Sequence, residues 1–462
     1  MFFRRRSRRF RRFRRFRRSR RSRYFPPVTA LATAFPSLRH RNFRLFLFGQ
    51  FLSQIGTWIQ TVAHGWLVLT LTGSPFLLGL VTMLGSLPIL LFTLYGGVVA
   101  DRVDKRRFIL ILQSGMLLEA LALGVLTQFG WISVAWVISL AIFFGLLSAF
   151  EVPARQAFVM DLVGKEDLMN AIALNSSAFN VSRVIGPAIA GGIIAAAGLA
   201  ACFYLNGLSF VAVIISLVAM QLGRWTPAAA RVDVRAAMRE GFDYVFGEPW
   251  PRTLVLLTAT LSIFGFSFLT MLPVFARDVL GVGAGGYGGL LAAVGIGAAG
   301  AAFTMAAVGS RVRQGRVAIG AAGILGLMLV AIALLPWLWP AVVVCALAGG
   351  AMAAAGIATN TLLQRLSPDH LRGRVMGFYS FVALGMAPFG SLQAGWVAER
   401  FGVRVAFALG GLLCAAAAGT VVWRFDPRAM GRRAAGGAGV TVTPEGPEGP
   451  TGAEASVETQ SQ

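Results

Sequence analysis

Charge is scarce in this sequence. Only 13% of its 462 residues are charged while 56% are hydrophobic, against about 25% charged in an average soluble chain. A chain this long with so little polar surface is not expected to be a soluble enzyme, and no catalytic constellation stands out. Lysine is almost missing. Lys105 and Lys165 are the only two, and neither follows the loop of a G-x-x-x-x-G-K-[ST] motif. The chain is therefore not itself an ATP-driven pump, which leaves a separate ATPase partner as the one route to ATP. Cysteine is sparse as well. Cys202, Cys345 and Cys414 each sit in an apolar run, with no cysteine or histidine beside them. That excludes a disulfide framework and a zinc site, and leaves small buried hydrophobes; no metal is expected. Acidic residues are absent until Asp101, although the whole chain carries 19 against 42 basic ones, for a net charge of +23. Fourteen of the arginines fall within the first 23 residues, and without them the net charge is +9. The basic excess thus describes mainly a tail, and nucleic acid is not an expected partner.

What the sequence does have is long apolar runs. A helix crossing a bilayer needs about 20 mostly apolar residues. Twelve such runs occur, at about 43–71, 75–99, 107–128, 131–152, 170–197, 200–222, 252–275, 287–308, 317–335, 338–362, 374–397 and 403–423. Each must be helical, because lipid leaves no partner for an unpaired backbone group. The expected fold class is all-α: a polytopic membrane protein with twelve transmembrane helices in two pseudo-symmetric six-helix bundles. Basic residues orient it. With the N-terminus in the cytoplasm and spans alternating, inner segments hold 38 of the 42 Lys and Arg, and outer segments hold Arg277, Arg400 and Arg404. Both ends are expected in the cytoplasm and the chain in the cell (inner) membrane.

The expected organisation is an Arg-rich tail over 1–41, a six-helix bundle over 42–222 and a linker over 223–251. A second bundle over 252–425 and a disordered tail over 426–462 follow. The linker is polar, and 232–246 can form a short surface helix. The halves echo one another at an offset near 200 residues. Gln156 through Gly186-Pro187 and Gly191-Gly192 corresponds to Gln364 through Ala387-Pro388 and Gly395, which suggests duplication of a six-span unit. The Arg-rich start, interleaved with Phe10, Phe13 and Phe16, can bind anionic lipid headgroups or resemble a targeting signal with Ala32-Thr33-Ala34 as a cleavage-like site. The favoured readings are an unstructured tail or a true start downstream, near Val28 or Leu31.

Two G-x-G-x-x-G matches, Gly281/Gly283/Gly286 and Gly295/Gly297/Gly300, lie in or beside spans without the strand a dinucleotide site needs. With 55 glycines in the chain, they read as close helix packing. More specific is the loop Gly96-Gly97-Val98-Val99-Ala100-Asp101-Arg102-Val103-Asp104-Lys105-Arg106-Arg107. It resembles the signature loop G-x-x-x-D-[RK]-x-G-[RK]-[RK] of the major facilitator superfamily. Gly97, Asp101, Arg102, Lys105 and Arg106 match, and Asp104 stands where glycine is usual. Arg183 through Gly186, Pro187, Gly191 and Gly192 resembles the antiporter motif of drug-exporting members, with one residue of extra spacing. Val152–Ala157 and Ala173–Ser176 resemble the branch of macrolide-efflux proteins and the enterobactin exporter. The resemblance covers about 40–425.

It implies two bundles that rock about a central site, with the Asp101 loop as a latch. Asp101 is expected to face the N-terminal end of span eleven near Gly373, and Arg102 or Arg106 to pair with Glu151. It places substrate against spans 1, 4, 7 and 10, where Thr260, Ser267 and Met271 are expected to face the first span. That span carries Gln50, Gln54, Thr57, Thr61 and His64 on one helical face, expected to line the cavity. Ser176, Asn180, Arg183 and Pro187 form a similar stripe in span five. Glu119 falls near mid-membrane, where a charge costs roughly 2.5–3.5 kcal/mol. It is expected to be protonated, paired with Arg183 or facing water, and Glu119, Arg183 and His64 are the proton-coupling candidates. The resemblance implies export of amphipathic drugs or a siderophore in exchange for protons, with no cofactor beyond the proton motive force. The expected partners are the small-molecule substrate, protons and the bilayer, and a monomer is expected. The alternatives are a facilitator-type importer and a lipid flippase or receptor without proton coupling.

Overall fold

The computed structural model describes residues 35–222, 234–309 and 311–424. The Arg-rich residues 1–34, the linker stretch 223–233 and the tail from 425 lie outside them, together with the readings made of those segments. Among the described residues the regular elements are helical. After a short 3-10 turn at Pro36–Arg39 come α1 (Arg41–Thr72), α2 (Pro75–Arg102) and α3 (Lys105–Gln128).

One helical run then covers Val134–Val218, but Gly164 and Gly198 inside it have φ of 71° and 78°. Only glycine takes that left-handed geometry cheaply. The two breaks divide the run into α4 (134–163), α5 (165–197) and α6 (199–218). The stretch 153–163, which falls between two of the expected spans, is therefore helix. Pro153 does not end it, and the chain turns only where Gly164 allows.

The second part opens with the short helix α7 (Val234–Gly247), close to the surface helix expected over 232–246. Next come α8 (Pro249–Thr260), a π-turn at Leu261–Gly265 and α9 (Phe268–Asp278). α10 (Ala284–Val308), α11 (Gln314–Leu334) and α12 (Leu338–Leu366) follow. α13 (Arg372–Gly385), α14 (Ala387–Phe401) and α15 (Val403–Arg424) complete the order.

Nine helical segments among the described residues are long and apolar enough to cross a membrane, the run Val134–Val218 counting as one. α1 is not among them. Its row of Gln, Thr and His residues dilutes the hydropathy that its length would otherwise give.

Local chemistry sets the ends. Ser74 Oγ accepts from the Leu77 N–H at 3.1 Å, and the Asp104 carboxylate accepts from the Arg107 N–H at 3.2 Å. Both are N-caps, so the aspartate that departs from the signature starts α3. Gly73, at φ 66°, closes α1, with its N–H on the Leu69 carbonyl at 2.9 Å.

Packing differs between the two ends of the molecule. The largest hydrophobic cluster draws on both halves, from Ile59, Leu67 and Leu69 in α1 to Met271, Phe275 and Tyr287 in α9 and α10. A separate cluster around Phe43, Phe46, Ile109 and Phe158 lies at the end carrying the Asp101–Arg107 loop, and it belongs to the first half alone. Large apolar side chains such as Ile111, Leu118, Phe303, Leu334 and Trp423 stay exposed. That fits a surface that meets lipid.

Candidate functional site

A cavity of about 390 Å3 lies between the halves, within the size range of small-molecule pockets. α1 supplies Thr57, Trp58, Gln60, Thr61 and His64 to its wall, and α2 supplies Thr82 and Ser86. Glu119 comes from α3 and Phe144 from α4; Thr270 and Pro273 come from α9, and Tyr287 from α10. Tyr287 stacks on Trp66, with ring centroids 6.3 Å apart and 19° between planes.

The charged member of this wall is held by a chain of amides. Gln60 Nε2 donates to the two Glu119 carboxyl oxygens at 3.0 and 3.3 Å. Gln60 Oε1 accepts from Asn206 Nδ2 at 2.8 Å, and Asn206 Oδ1 accepts from Ser209 Oγ at 3.0 Å. Gln60, Glu119 and Asn206 are 7%, 2% and 0% exposed, so these bonds are largely withdrawn from solvent, where each is electrostatically stronger. The chain also fixes which way Gln60 points. Its oxygen is occupied by Asn206, so its N–H groups face Glu119.

Of the alternatives expected for Glu119, pairing with Arg183 is not seen: Glu119 lines the cavity and is partnered by Gln60, and the buried Nε of Arg183 has no hydrogen-bond partner among the described residues. Other expectations are corrected. Thr57, Thr61 and His64 line the cavity, but Gln50 and Gln54 do not. Both are buried, while Gly49 and Gly56, on a different face of α1, make its close approach to Ser216 and Ser209 of α6. Asn180 bonds back to its own helix through the Ser176 carbonyl, and Ser176 and Pro187 lie outside the wall with it. Thr260 and Ser267 likewise donate to Leu256 and Phe264 carbonyls, and Met271 is fully buried. Their places in the wall are taken by Leu269, Thr270 and Pro273. Gln60 was missed because it stands outside the 50–54–57–61–64 stripe. Its signal lay in three polar residues, Gln60, Glu119 and Asn206, on three apolar runs.

In the antiporter-like motif, Gly186 and Gly191 sit at crossings. A Cβ on Gly186 would lie 2.9 Å from the Ile55 carbonyl oxygen, and one on Gly191 would lie 3.0 Å from that of Ala284. α5 is thereby wedged between α1 and α10. Gly192 faces open space.

The signature loop is arranged differently from the expected latch. Asp101 and Arg102 are exposed, and Gly373 has open space around it. Glu151 is bound by Arg155 Nε at 2.9 Å and Gln113 Nε2 at 3.3 Å instead of by Arg102 or Arg106. It is 6% exposed and one turn from Arg155, so the shorter reach wins. Arg106 donates to the Leu217 and Val218 carbonyls at 2.8 and 2.9 Å, capping α6. Lys105 pairs with Asp161 at 2.8 Å. Gly97 approaches Pro153, to which a Cβ would come within 4.0 Å.

At the opposite end, two charged side chains join the halves. Arg277 of α9 donates to the Leu69 and Gly73 carbonyls at the C-terminus of α1, both at 3.2 Å. Glu399 of α14 accepts from Ser74 Oγ at 2.9 Å and the Phe76 N–H at 3.2 Å, at the N-terminus of α2. A cation on a helix C-terminus and an anion on an N-terminus both match the helix dipole.

A chain of membrane helices, a cavity between two halves that holds a buried carboxylate and this signature loop leave one question, which comparison with known proteins answers. Residues 32–434 match the family described as transmembrane secretion effectors. The chain belongs to that family, within the major facilitator superfamily. It is 29% identical over 380 residues to the multidrug efflux pump Tap of Mycolicibacterium fortuitum, covering 79% of this chain and 90% of Tap. The enterobactin exporter EntS of Salmonella typhi is 27% identical over 367 residues, 77% of this chain and 86% of EntS. The staphyloferrin A transporter of Staphylococcus aureus is 33% identical over 246 residues, 51% of this chain, and the match spans only 59% of that transporter's length. Among solved structures, a bacterial homologue of the lysosomal transporter Spinster, inward-facing and occupied, matches with a TM-score of 0.62 and 15% identity, over 87% of this chain and 97% of that one. That likeness concerns the fold. The chain is a multi-pass membrane transporter of efflux-type kinship, and its relatives are not enzymes.

Proposed function

We propose that this chain is a secondary transporter that exports amphipathic small molecules from the cytoplasm by alternating access, in exchange for protons. The observation that carries the reading is the cavity. It lies between the halves, is walled by Glu119 and His64, and is joined over on one side by Arg277 and Glu399. α1 to α6 form one six-helix bundle; α8–α9, α10, α11, α12, α13–α14 and α15 form the other. The count of twelve follows when the glycine breaks at 164 and 198 are read as turns between spans and α1 is included. The segment 223–251 connects the bundles. The basic loops put the Asp101 end and both termini in the cytoplasm, in the inner membrane, and the chain works as a monomer without a cofactor.

On this reading the structure is the inward-open state. The outer clasps are made, and the Asp101 latch is undone and forms when the cytoplasmic side closes. The inward-facing Spinster homologue supports it, as do the relatives named for multidrug and enterobactin export. Inside-out membrane vesicles test it. With a proton gradient imposed, addition of an exported drug is expected to dissipate that gradient, and Glu119→Gln to abolish the response. A broad panel of amphipathic drugs that leaves the gradient intact argues against proton exchange.

A further inference from the structure

Arg183 stands in a long apolar helical run and takes part in none of the ion pairs among the described residues. The helices on either side of it offer no carboxylate. α1 and α10 contain no Asp or Glu, and the nearest on α5 itself is Asp167, about four turns away. Asp167 is bound to His40 at 2.8 Å, and Glu119 is held by Gln60. Of the eight buried side-chain atoms without a hydrogen-bond partner among the described residues, four belong to Arg183, Gln54 and Gln50. The two glutamines are 9% and 2% exposed.

Neighbouring contacts set the level of these side chains. Ser182 Oγ donates to the Phe51 carbonyl at 3.4 Å, and a Cβ on Gly186 would lie 2.9 Å from the Ile55 carbonyl oxygen. Arg183 follows Ser182 and Gln54 precedes Ile55, so the two stand level on α5 and α1, with Gln50 about one turn below. The rings of Trp58 and Phe179, 6.0 Å apart, bridge the same seam. Three of the four unpaired atoms are N–H donors, namely Arg183 Nε, Gln54 Nε2 and Gln50 Nε2, and the one acceptor shares an amide with a donor. Buried donors need acceptors, and a cation withdrawn from water needs an opposite charge. Water answers the first need alone, whereas an anion answers both.

We propose that the seam between α1 and α5 binds a small monovalent anion, held by the Arg183 guanidinium with Gln54 and Gln50 as amide donors. Arg183, Gln54 and Gln50 all lie outside the cavity wall, so the site does not depend on what the cavity carries. Two sources share this chemistry, a free halide ion and the carboxylate of an organic molecule. A Cβ on Gly295 of α10 would lie 3.0 Å from the Arg183 carbonyl oxygen. The anion is thereby placed beside a crossing of the two halves.

Equilibrium dialysis of the purified full-length protein against radiolabelled chloride, and separately against radiolabelled acetate, tests the proposal. Saturable binding of at least one of them is expected. Tighter chloride binding assigns the site to a free halide, and tighter acetate binding assigns it to a carboxylate. Arg183→Gln is expected to abolish the binding, Arg183→Lys to retain it at lower affinity, and Gln54→Leu to weaken it at least fivefold. Thermal unfolding supplies a second readout. In buffer free of both anions, Arg183→Gln is expected to melt at or above the wild-type temperature, because a charge without a partner has been removed. The saturating anion is expected to raise the melting temperature of the wild type, as a ligand of the folded state does, and to leave that of Arg183→Gln unmoved. Should Arg183→Gln not fold, the fivefold loss in Gln54→Leu carries the test. No saturable binding of either anion, or binding undiminished by these substitutions, overturns the proposal.

Discussion

Glycine determines how closely these helices approach. The pattern Gly295/Gly297/Gly300 contains a natural control. A Cβ on Gly297 would collide with the backbone of Ala346 on α12, whereas one on Gly300 meets nothing within 4 Å. Gly297→Val must push α10 and α12 apart, and overpacking of this kind costs about 1–3 kcal/mol. The purified protein is therefore expected to lose several degrees of apparent melting temperature with Gly297→Val and almost none with Gly300→Val. Equal melting of the two would mean that the crossing is not tight. Helix packing was legible from the pattern, but not which glycine makes the contact, since that depends on the rotation of α10 against a neighbour 50 residues away. The same limit explains the polar stripe of α1. Periodicity put Gln50 to His64 on one face, yet only Thr57, Thr61 and His64 reach the cavity, and Gln50 and Gln54 are buried outside its wall. Gln60, off the stripe, was given its importance by Glu119 and Asn206, two contacts with no local signature.

At the level of elements, charge and helix ends act together. Arg277 on the C-terminus of α1 and Glu399 on the N-terminus of α2 join the halves at one end. Neither was singled out beforehand, because a helix cap supplied by a distant helix leaves no trace in spacing. Each dipole-matched contact contributes about 0.3–1 kcal/mol, so losing both changes the ratio of conformers by about 3- to 30-fold. Spin labels at Thr70 and Arg400, one on each half beside the clasp, would read this as a second, longer distance whose share grows several-fold in Arg277→Ala/Glu399→Gln. An unaltered distance distribution would remove the clasp from the mechanism. The other end shows the complementary case. α7 packs Phe242 and Phe246 on Phe378 of α13, and Tyr244 donates to the Leu366 carbonyl at 2.8 Å. Burial and the neighbouring Glu248 push the Tyr244 phenol above its ordinary range, so the donor is retained at neutral pH. Glu240 pairs with Arg374, and the linker helix is thereby built into the second half. That a short helix could form here was legible, and its docking partner was not.

For the whole molecule, hydropathy and charge said most. The apolar runs became helices nearly end to end, and the helical continuity through 153–163 is the main departure. The conformational state was not legible, because on the proposed cycle one sequence encodes at least two arrangements of the same halves, and the signature loop is assigned to the one not seen here. Asp101 shows the consequence. It is exposed, its loop is held by Arg106 on α6 and Lys105 on Asp161, and the N-terminus of α13 near Gly373 is open. On the proposed cycle, Asp101 meets that helix end only when the cytoplasmic side closes, where an anion beside the helix N-terminus is favoured. Asp101→Asn therefore removes nothing that holds the present arrangement. The purified variant is expected to melt at the wild-type temperature and to bind an exported drug with wild-type affinity, while drug-driven proton movement in vesicles falls at least tenfold. A fall in melting temperature would make Asp101 a structural residue of this state, and normal turnover would mean that closure does not use it. Only the combination of intact stability, intact binding and lost turnover fits a side chain whose partner lies on the other half of the molecule, waiting for the halves to rock together.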